Sequence, residues 1–161
     1  MTSAVLKPQA ASGQSQAIVV DEVFPHSAAV IWKALTDGAL MGRWMMQPTG
    51  FEPVVGNRFT FKTTPAGAWD GLIRCEVLEV KPLERFVFAW RGGDEANIGY
   101  GSKLDTVVTF TLTPEPGQKG TRLRVEHAGF LLPKNETAYT NMSKGWIKCV
   151  ENLGAVSGSL N

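Results

Sequence analysis

The stretch Tyr139 to Val156, YTNMSKGWIKCVENLGAV, decides the fold. Tyr139, Met142, Trp146, Cys149, Val150, Leu153 and Val156 recur at helical spacing, so a helix carries them on one stripe. Asn141, Lys144, Lys148, Glu151 and Asn152 fall off that stripe and face water. A helix of about twenty residues with so long an apolar face must lie against a broad apolar surface.

The preceding sequence supplies that surface. After Pro48, for about eighty residues, apolar side chains recur at every second position between glycine and proline punctuation, the pattern of consecutive antiparallel strands. Strands are expected near 51 to 54, 58 to 64, 70 to 80, 84 to 91, 103 to 113 and 120 to 128. The connection 114 to 120 reads as a hairpin, and 92 to 101 is the longest loop. Further upstream, AIVVDEVF from Ala17 to Phe24 reads as a first strand stopped by Pro25. Ser27 then caps a short helix with Val30, Ile31, Ala34 and Leu35 at helical spacing, and Thr36-Asp37 opens a second carrying Leu40, Met41, Trp44 and Met45. Gly38 and Gly42 make the second helix weak by propensity, so tertiary packing must hold it. The expected fold class is α+β, the sheet of about six to seven strands curving around the final helix, with two short helices after strand 1. A lipocalin-type barrel is the rival, and it leaves that helix without a role.

Parity assigns the inner face. Phe59, Phe61 and Thr63 share one side, as do Phe86, Phe88 and Trp90; Leu104, Thr106, Val108, Phe110 and Leu112; and Thr121, Leu123, Val125 and His127. One strand breaks the alternation: Ile73, Cys75 and Val77 have one parity, Leu78 and Val80 the other. A bulge near Val77-Leu78 is therefore expected. One helix laid on a half-barrel leaves room either for a pocket or for a core closed by bulky rings.

Among the 161 residues, 43% are hydrophobic and 16 basic side chains balance 15 acidic ones, leaving a net charge of +1. Such a chain buries a proper core and offers no bulk field for nucleic acid or an acidic membrane. Residues 1 to 16 are small and polar without a signal-peptide core, so they read as a flexible tail ahead of one domain over 17 to 161, in the cytoplasm. Cys75 and Cys149 lack the spacing of a metal site or disulfide framework and read as reduced core residues, and in that compartment the triplets beginning at Asn135 and Asn141 carry no glycan.

Four stretches together resemble a known family. They are Val30-Ile31-Trp32-Lys33-Ala34-Leu35-Thr36-Asp37 with Trp44; Glu79-Val80-Lys81-Pro82 leading to Arg85-Phe86-Val87-Phe88-Ala89-Trp90; Gly120-Thr121-Arg122-Leu123 through His127-Ala128-Gly129-Phe130; and Gly145-Trp146. In this order they resemble the activator of heat-shock-protein-90 ATPase homologue, C-terminal-domain family, within the START-like, polyketide-cyclase-related helix-grip superfamily. The resemblance spans roughly residues 17 to 157. It implies a curved sheet gripping the last helix around an apolar cavity, and no shared reaction. Met142 departs from the polar residue, often His, that relatives place before the Gly-Trp pair, which makes this cavity more apolar. Leu83 stands where relatives often repeat the proline, and Val150 where Leu is usual.

Chemistry is sparse. His26, beside Pro25, reads as a turn or capping residue. His127 faces the helix, either as a hydrogen-bonded structural group or as a partner for a ligand oxygen or an acid/base. A single His is no metal site, and the absence of phosphate-loop, nucleophile-elbow and HExxH patterns disfavours the corresponding hydrolases. Arg74 and Glu76 read as a solvated pair, Asp70, Asp94 and Glu95 as loop carboxylates, Lys119, Arg122 and Arg124 as a solvated edge, and Tyr100 as a rim, lid or loop filler.

The leading expectation is binding of a small hydrophobic ligand by Trp32, Trp44, Phe59, Phe61, Phe88, Trp90, Tyr100, Phe110, His127, Met142, Trp146 and Cys149, with no metal or cofactor. A cyclase/dehydratase on an apolar substrate is one alternative and needs at least two converging polar groups. A co-chaperone module is the other and predicts a filled interior with an exposed apolar patch. The partners expected are a small molecule and no nucleic acid or membrane, with a chaperone as the lesser choice, for a monomer or homodimer.

Overall fold

A computed structural model describes residues 14–116 and 120–160. The order is β1 (Gln14–Phe24), α1 (Ala28–Thr36), α2 (Gly38–Trp44), β2 (Arg58–Lys62), β3 (Leu72–Lys81), β4 (Arg85–Gly92), β5 (Leu104–Pro114), β6 (Thr121–Leu132) and α3 (Glu136–Gly158). All strands pair antiparallel in one curved sheet of order β1-β6-β5-β4-β3-β2. The chain thus meanders from β2 to β6, while β1 occupies the opposite edge. Helices α1 and α2 make the crossing between the two edges and pack against α3. Among the described residues, no helix is long and apolar enough to cross a membrane.

Local chemistry explains the short helices. Ser27 Oγ accepts from Val30 N at 3.3 Å and Asp37 Oδ1 from Leu40 N at 3.1 Å, so each helix begins on a side-chain cap. The glycine-weakened α2 is tied down by Trp44, whose buried indole N–H donates to Ala34 O at 2.8 Å.

The inner-face residues expected from parity, Phe59, Phe61, Phe86, Phe88, Val108, Phe110, Leu123 and Val125, are all buried, and in β4 the opposite face, Val87 and Ala89, is buried as well. The expected irregularity in β3 is present as a register shift between Val77 and Glu79. A second one lies in β6, which runs past the expected end at 128. Gly129, at φ 110°, is the extra residue opposite Gln16/Ala17. It lets His127 and Phe130, of opposite parity, both point inward, which a regular strand forbids.

Several expectations need correction. The strand near 51 to 54 is absent, leaving six strands among the described residues. Pro53 has no N–H to give a ladder, Val54 and Val55 are exposed, and the Phe51 ring turns inward instead, 4.9 Å from Phe59 and 6.0 Å from Phe86. The tail proposed for 1 to 16 gives up Gln14 to Gln16 to β1, and its remainder lies outside the described residues, as do Lys119 and the hairpin tip. Arg74 pairs with Asp70 at 2.8 Å rather than with Glu76, which lies between Arg58 and Arg91 at 3.8 and 3.9 Å. Glu95 joins Lys134 at 3.1 Å.

The packing of α3 is uneven along its length. Trp146, Val150, Leu153 and Val156 are buried, whereas Tyr139, Met142 and Cys149 are only half-buried. At its C-terminal end the helix is sunk so deep that a Cβ on Gly154 would stand 2.6 Å from Phe24 Cε1. At Gly145 the same Cβ would meet nothing within 4 Å.

The bulge gives a test of the fold. Gly129→Ala places a Cβ 3.1 Å from Asp105 O at a backbone angle that L-residues resist, and is expected to lower unfolding free energy in urea by about 1–3 kcal/mol. An unchanged midpoint would show that the bulge does not fix β6.

Candidate functional site

Where the helix passes from its deep end to its shallow end, it is pinned. Trp146 on α3 donates its indole N–H to Nδ1 of His127 on β6 at 2.9 Å. An indole N–H only donates, so Nδ1 must accept, and the neutral imidazole carries its proton on Nε2. That proton goes to Thr106 Oγ1 on β5 at 2.7 Å, and the Thr106 hydroxyl donates to Trp90 O on β4 at 2.8 Å. One buried chain of hydrogen bonds therefore runs from the helix across three neighbouring strands. Burial pushes the His127 pKa down to about 3. The ring stays neutral near pH 7, with both nitrogens engaged, which is the arrangement of a structural histidine.

Beside this pin, under the shallow half of α3, lies a cavity of about 270 Å³. Trp69, Ile73, Trp90, Leu104, Met142 and Trp146 give it apolar walls. An apolar cavity of about 150 Å³ holds benzene, so this one has room for a molecule of bicyclic aromatic size. Asn141, Gly145 and Tyr100, all on its lining, reach solvent and place its mouth beside the helix.

Of the residues expected at a ligand, Trp90, Tyr100, Met142, Trp146 and Cys149 line this cavity. Trp32, Trp44, Phe59, Phe61, Phe88, Phe110 and His127 do not. At that end the rings meet one another: Phe59 and Phe88 are 5.4 Å apart, Trp44 and Phe110 5.9 Å, and Trp32 and Phe86 6.3 Å. Such spacings are those of packed aromatic pairs. Cys149 is half-buried on the cavity wall rather than in the core.

The far wall is made by two loops laced together. Tyr100 donates its hydroxyl to Thr64 O at 2.8 Å, so it is a strut and not a free lid. Asn97 Nδ2 donates to Ala66 O at 2.7 Å, and its Oδ1 accepts from Ala68 N at 3.1 Å. Buried Asn135, at the start of α3, donates to Ser102 Oγ at 3.0 Å and Lys103 O at 2.9 Å, fastening this wall to the helix. Trp69, Ser102 and Gly145 belong to the cavity and escaped the sequence reading. Trp69 left a trace there, a large ring bracketed by Gly67 and Gly71 in a loop.

The lining brings together no pair of titratable groups with work to share. Its ionisable side chains are Tyr100, already bonded, and Cys149, whose thiol burial pushes up to about 11. Among the described residues, no three His, Cys, Asp or Glu side chains are grouped to hold a metal ion.

Comparison with known proteins agrees with this architecture. The sequence model of the family described as Activator of Hsp90 ATPase homolog 1-like protein matches residues 25–158. The crystal structure of protein MLL2253 from Mesorhizobium loti is 34% identical, with a TM-score of 0.75 over 91% of this chain and 99% of that one. CalU16 from Micromonospora echinospora, 23% identical, superposes with a TM-score of 0.68 over 91% and 78% of the two chains. PFC0360w, an HSP90 activator from Plasmodium falciparum, shares 16% identity and a TM-score of 0.64 over 88% and 96%. No curated protein matches the chain.

The pin makes stability depend on pH. The His127 pKa is lower folded than unfolded, so below about 6.5 the unfolded chain takes up the extra proton, and stability falls with pH between about 6.5 and 3. Over pH 6.5 to 5.5, above the range of most carboxylates, urea unfolding is expected to lose about 1 kcal/mol. His127→Gln supplies an acceptor and a donor but does not titrate, and should flatten that slope. A variant as pH-sensitive as the parent would assign the effect elsewhere.

Proposed function

The chain belongs to the Activator of Hsp90 ATPase homolog 1-like family, and within it we propose that this protein binds a small hydrophobic molecule between the curved sheet and α3. The observation that carries the proposal is the 270 Å³ apolar cavity under the half of α3 that is not sunk into the sheet. Gly145 supports it. A mid-helix glycine is destabilising relative to alanine by roughly 0.5–1 kcal/mol, and no neighbour here demands the small residue, yet it keeps the mouth clear. A ligand of about a dozen heavy atoms, at roughly 0.6 kcal/mol per atom, would bind in the micromolar range.

Binding is favoured over turnover because the cyclase/dehydratase reading needs two polar groups converging on the substrate. His127, the acid/base candidate, is neutral and hydrogen-bonded at both nitrogens outside the cavity lining. The co-chaperone reading predicts a filled interior, and the cavity speaks for a small-molecule partner instead.

The neutral dye N-phenyl-1-naphthylamine, which brightens in apolar surroundings and seats its naphthyl group in the cavity with the phenyl ring at the open mouth, tests this. One-to-one saturation with a micromolar Kd is expected, weakened on the order of ten-fold in Gly145→Leu, whose side chain takes the mouth. The same variant should unfold at no lower urea concentration. No saturable brightening, or equal affinity in parent and variant, would remove the proposal.

A further inference from the structure

Trp90 differs from the other buried indoles. Trp44, Trp69 and Trp146 each give their N–H to an acceptor, at 2.8, 2.9 and 2.9 Å. Trp90 Nε1–H is as deeply buried, in a residue 4% exposed, and has no hydrogen-bond partner. Water satisfied that donor in the unfolded chain, so leaving it unpaired is destabilising, and native proteins seldom tolerate it without a reason. Trp90 is also part of the cavity wall, and its Nε1 is closed over in the empty cavity, so an acceptor reaches it as the side chains around it give way on binding.

A second donor is present on the same wall. Ser102, 1% exposed, lines the cavity and accepts through Oγ from Asn135 Nδ2 at 3.0 Å. Asn135 is fixed in turn, donating to Lys103 O and accepting from Leu131 N at 2.9 Å each. The Ser102 hydroxyl oxygen is thus spoken for, and among the described residues nothing takes its hydrogen. Both buried polar groups offer hydrogens. No Lys or Arg stands on the described wall to neutralise a carboxylate or phosphate.

Resting on the binding reading above, we infer that the bound molecule is a neutral carbonyl compound, an apolar ring system or chain bearing an acceptor oxygen, and that Trp90 Nε1–H holds that oxygen. Ser102 Oγ–H is the second donor available to it. The Met142 and Trp146 face of the cavity receives the apolar remainder. A purely hydrocarbon ligand fits the volume but leaves the Trp90 donor unpaired, so the wall discriminates against it.

A near-isosteric pair separates this inference from the reading beneath it. 2-Acetylnaphthalene and 2-ethylnaphthalene share shape and apolar area and differ by the carbonyl. Competition against N-phenyl-1-naphthylamine is expected to show the ketone bound about five-fold or more tightly, the worth of one net hydrogen bond, and the ratio should fall toward one in Trp90→Phe and reach about one when Ser102→Ala is added. In the parent protein the ketone, and not the hydrocarbon, should move the Trp90 indole proton resonance downfield, a readout that survives if the variant fails to fold. Equal binding of the two compounds, with an unmoved indole signal, overturns the carbonyl inference and leaves the cavity a binding site. Binding of neither compound overturns both.

Discussion

The hydrogen bond from Trp146 to His127 sets where the final helix lies, and most of the molecule's character follows from that placement. Both partners are almost fully buried, so removing either leaves a polar atom without water or protein to satisfy it, which costs about 1–3 kcal/mol. The bond also has a fixed direction. Because tryptophan can only donate, it dictates the histidine tautomer, which dictates that Thr106 receives from His127 and gives to Trp90 O. Helix and sheet are therefore joined by one oriented chain of donors rather than by apolar contact alone.

On either side of that pin the helix meets different ground. Toward its C-terminus Leu153 and Val156 enter the core, and Gly154 lets the Phe24 ring approach. Toward its N-terminus Asn135 fastens the helix start to the loop at Ser102 and Lys103 and so holds it at a fixed height. A helix fastened at both places rests Trp146 beside Trp90, 6.3 Å apart, but cannot settle further onto Ile73, and the space left is the cavity. The rings of Phe59, Phe86, Phe88 and Phe110 close the rest of the concavity, so the hollow is local and does not run the length of the sheet.

Much of this architecture was legible in the sequence because period-two and period-3.6 patterns report directly on which side of a strand or helix is buried. The inner face and the β3 irregularity came from strand parity, and the stripe of α3 from helical spacing. The strand near 51 to 54 was misread because a lone Phe51 next to Pro53 resembles an alternating pair, while its ring actually caps the aromatic cluster. The β6 bulge was readable in principle from His127 and Phe130 on opposite parity around Gly129. The site was half legible. Trp90, Met142, Trp146 and Cys149 lie on regular elements and were found, whereas Trp69, Ser102 and Asn135 depend on hydrogen bonds between loops that no periodicity encodes. Sequence also could not separate the aromatics that line space from those that fill it, since both point inward.

A crystal structure of the protein under xenon pressure tests the central claim most directly, because xenon occupies apolar cavities without requiring a particular chemistry. The account predicts an anomalous peak bounded by Trp69, Trp90, Met142 and Cys149, with Trp146 still bonded to His127. A structure with no xenon there, and with Met142 and Trp146 closed down upon Ile73 and Trp90, would contradict it.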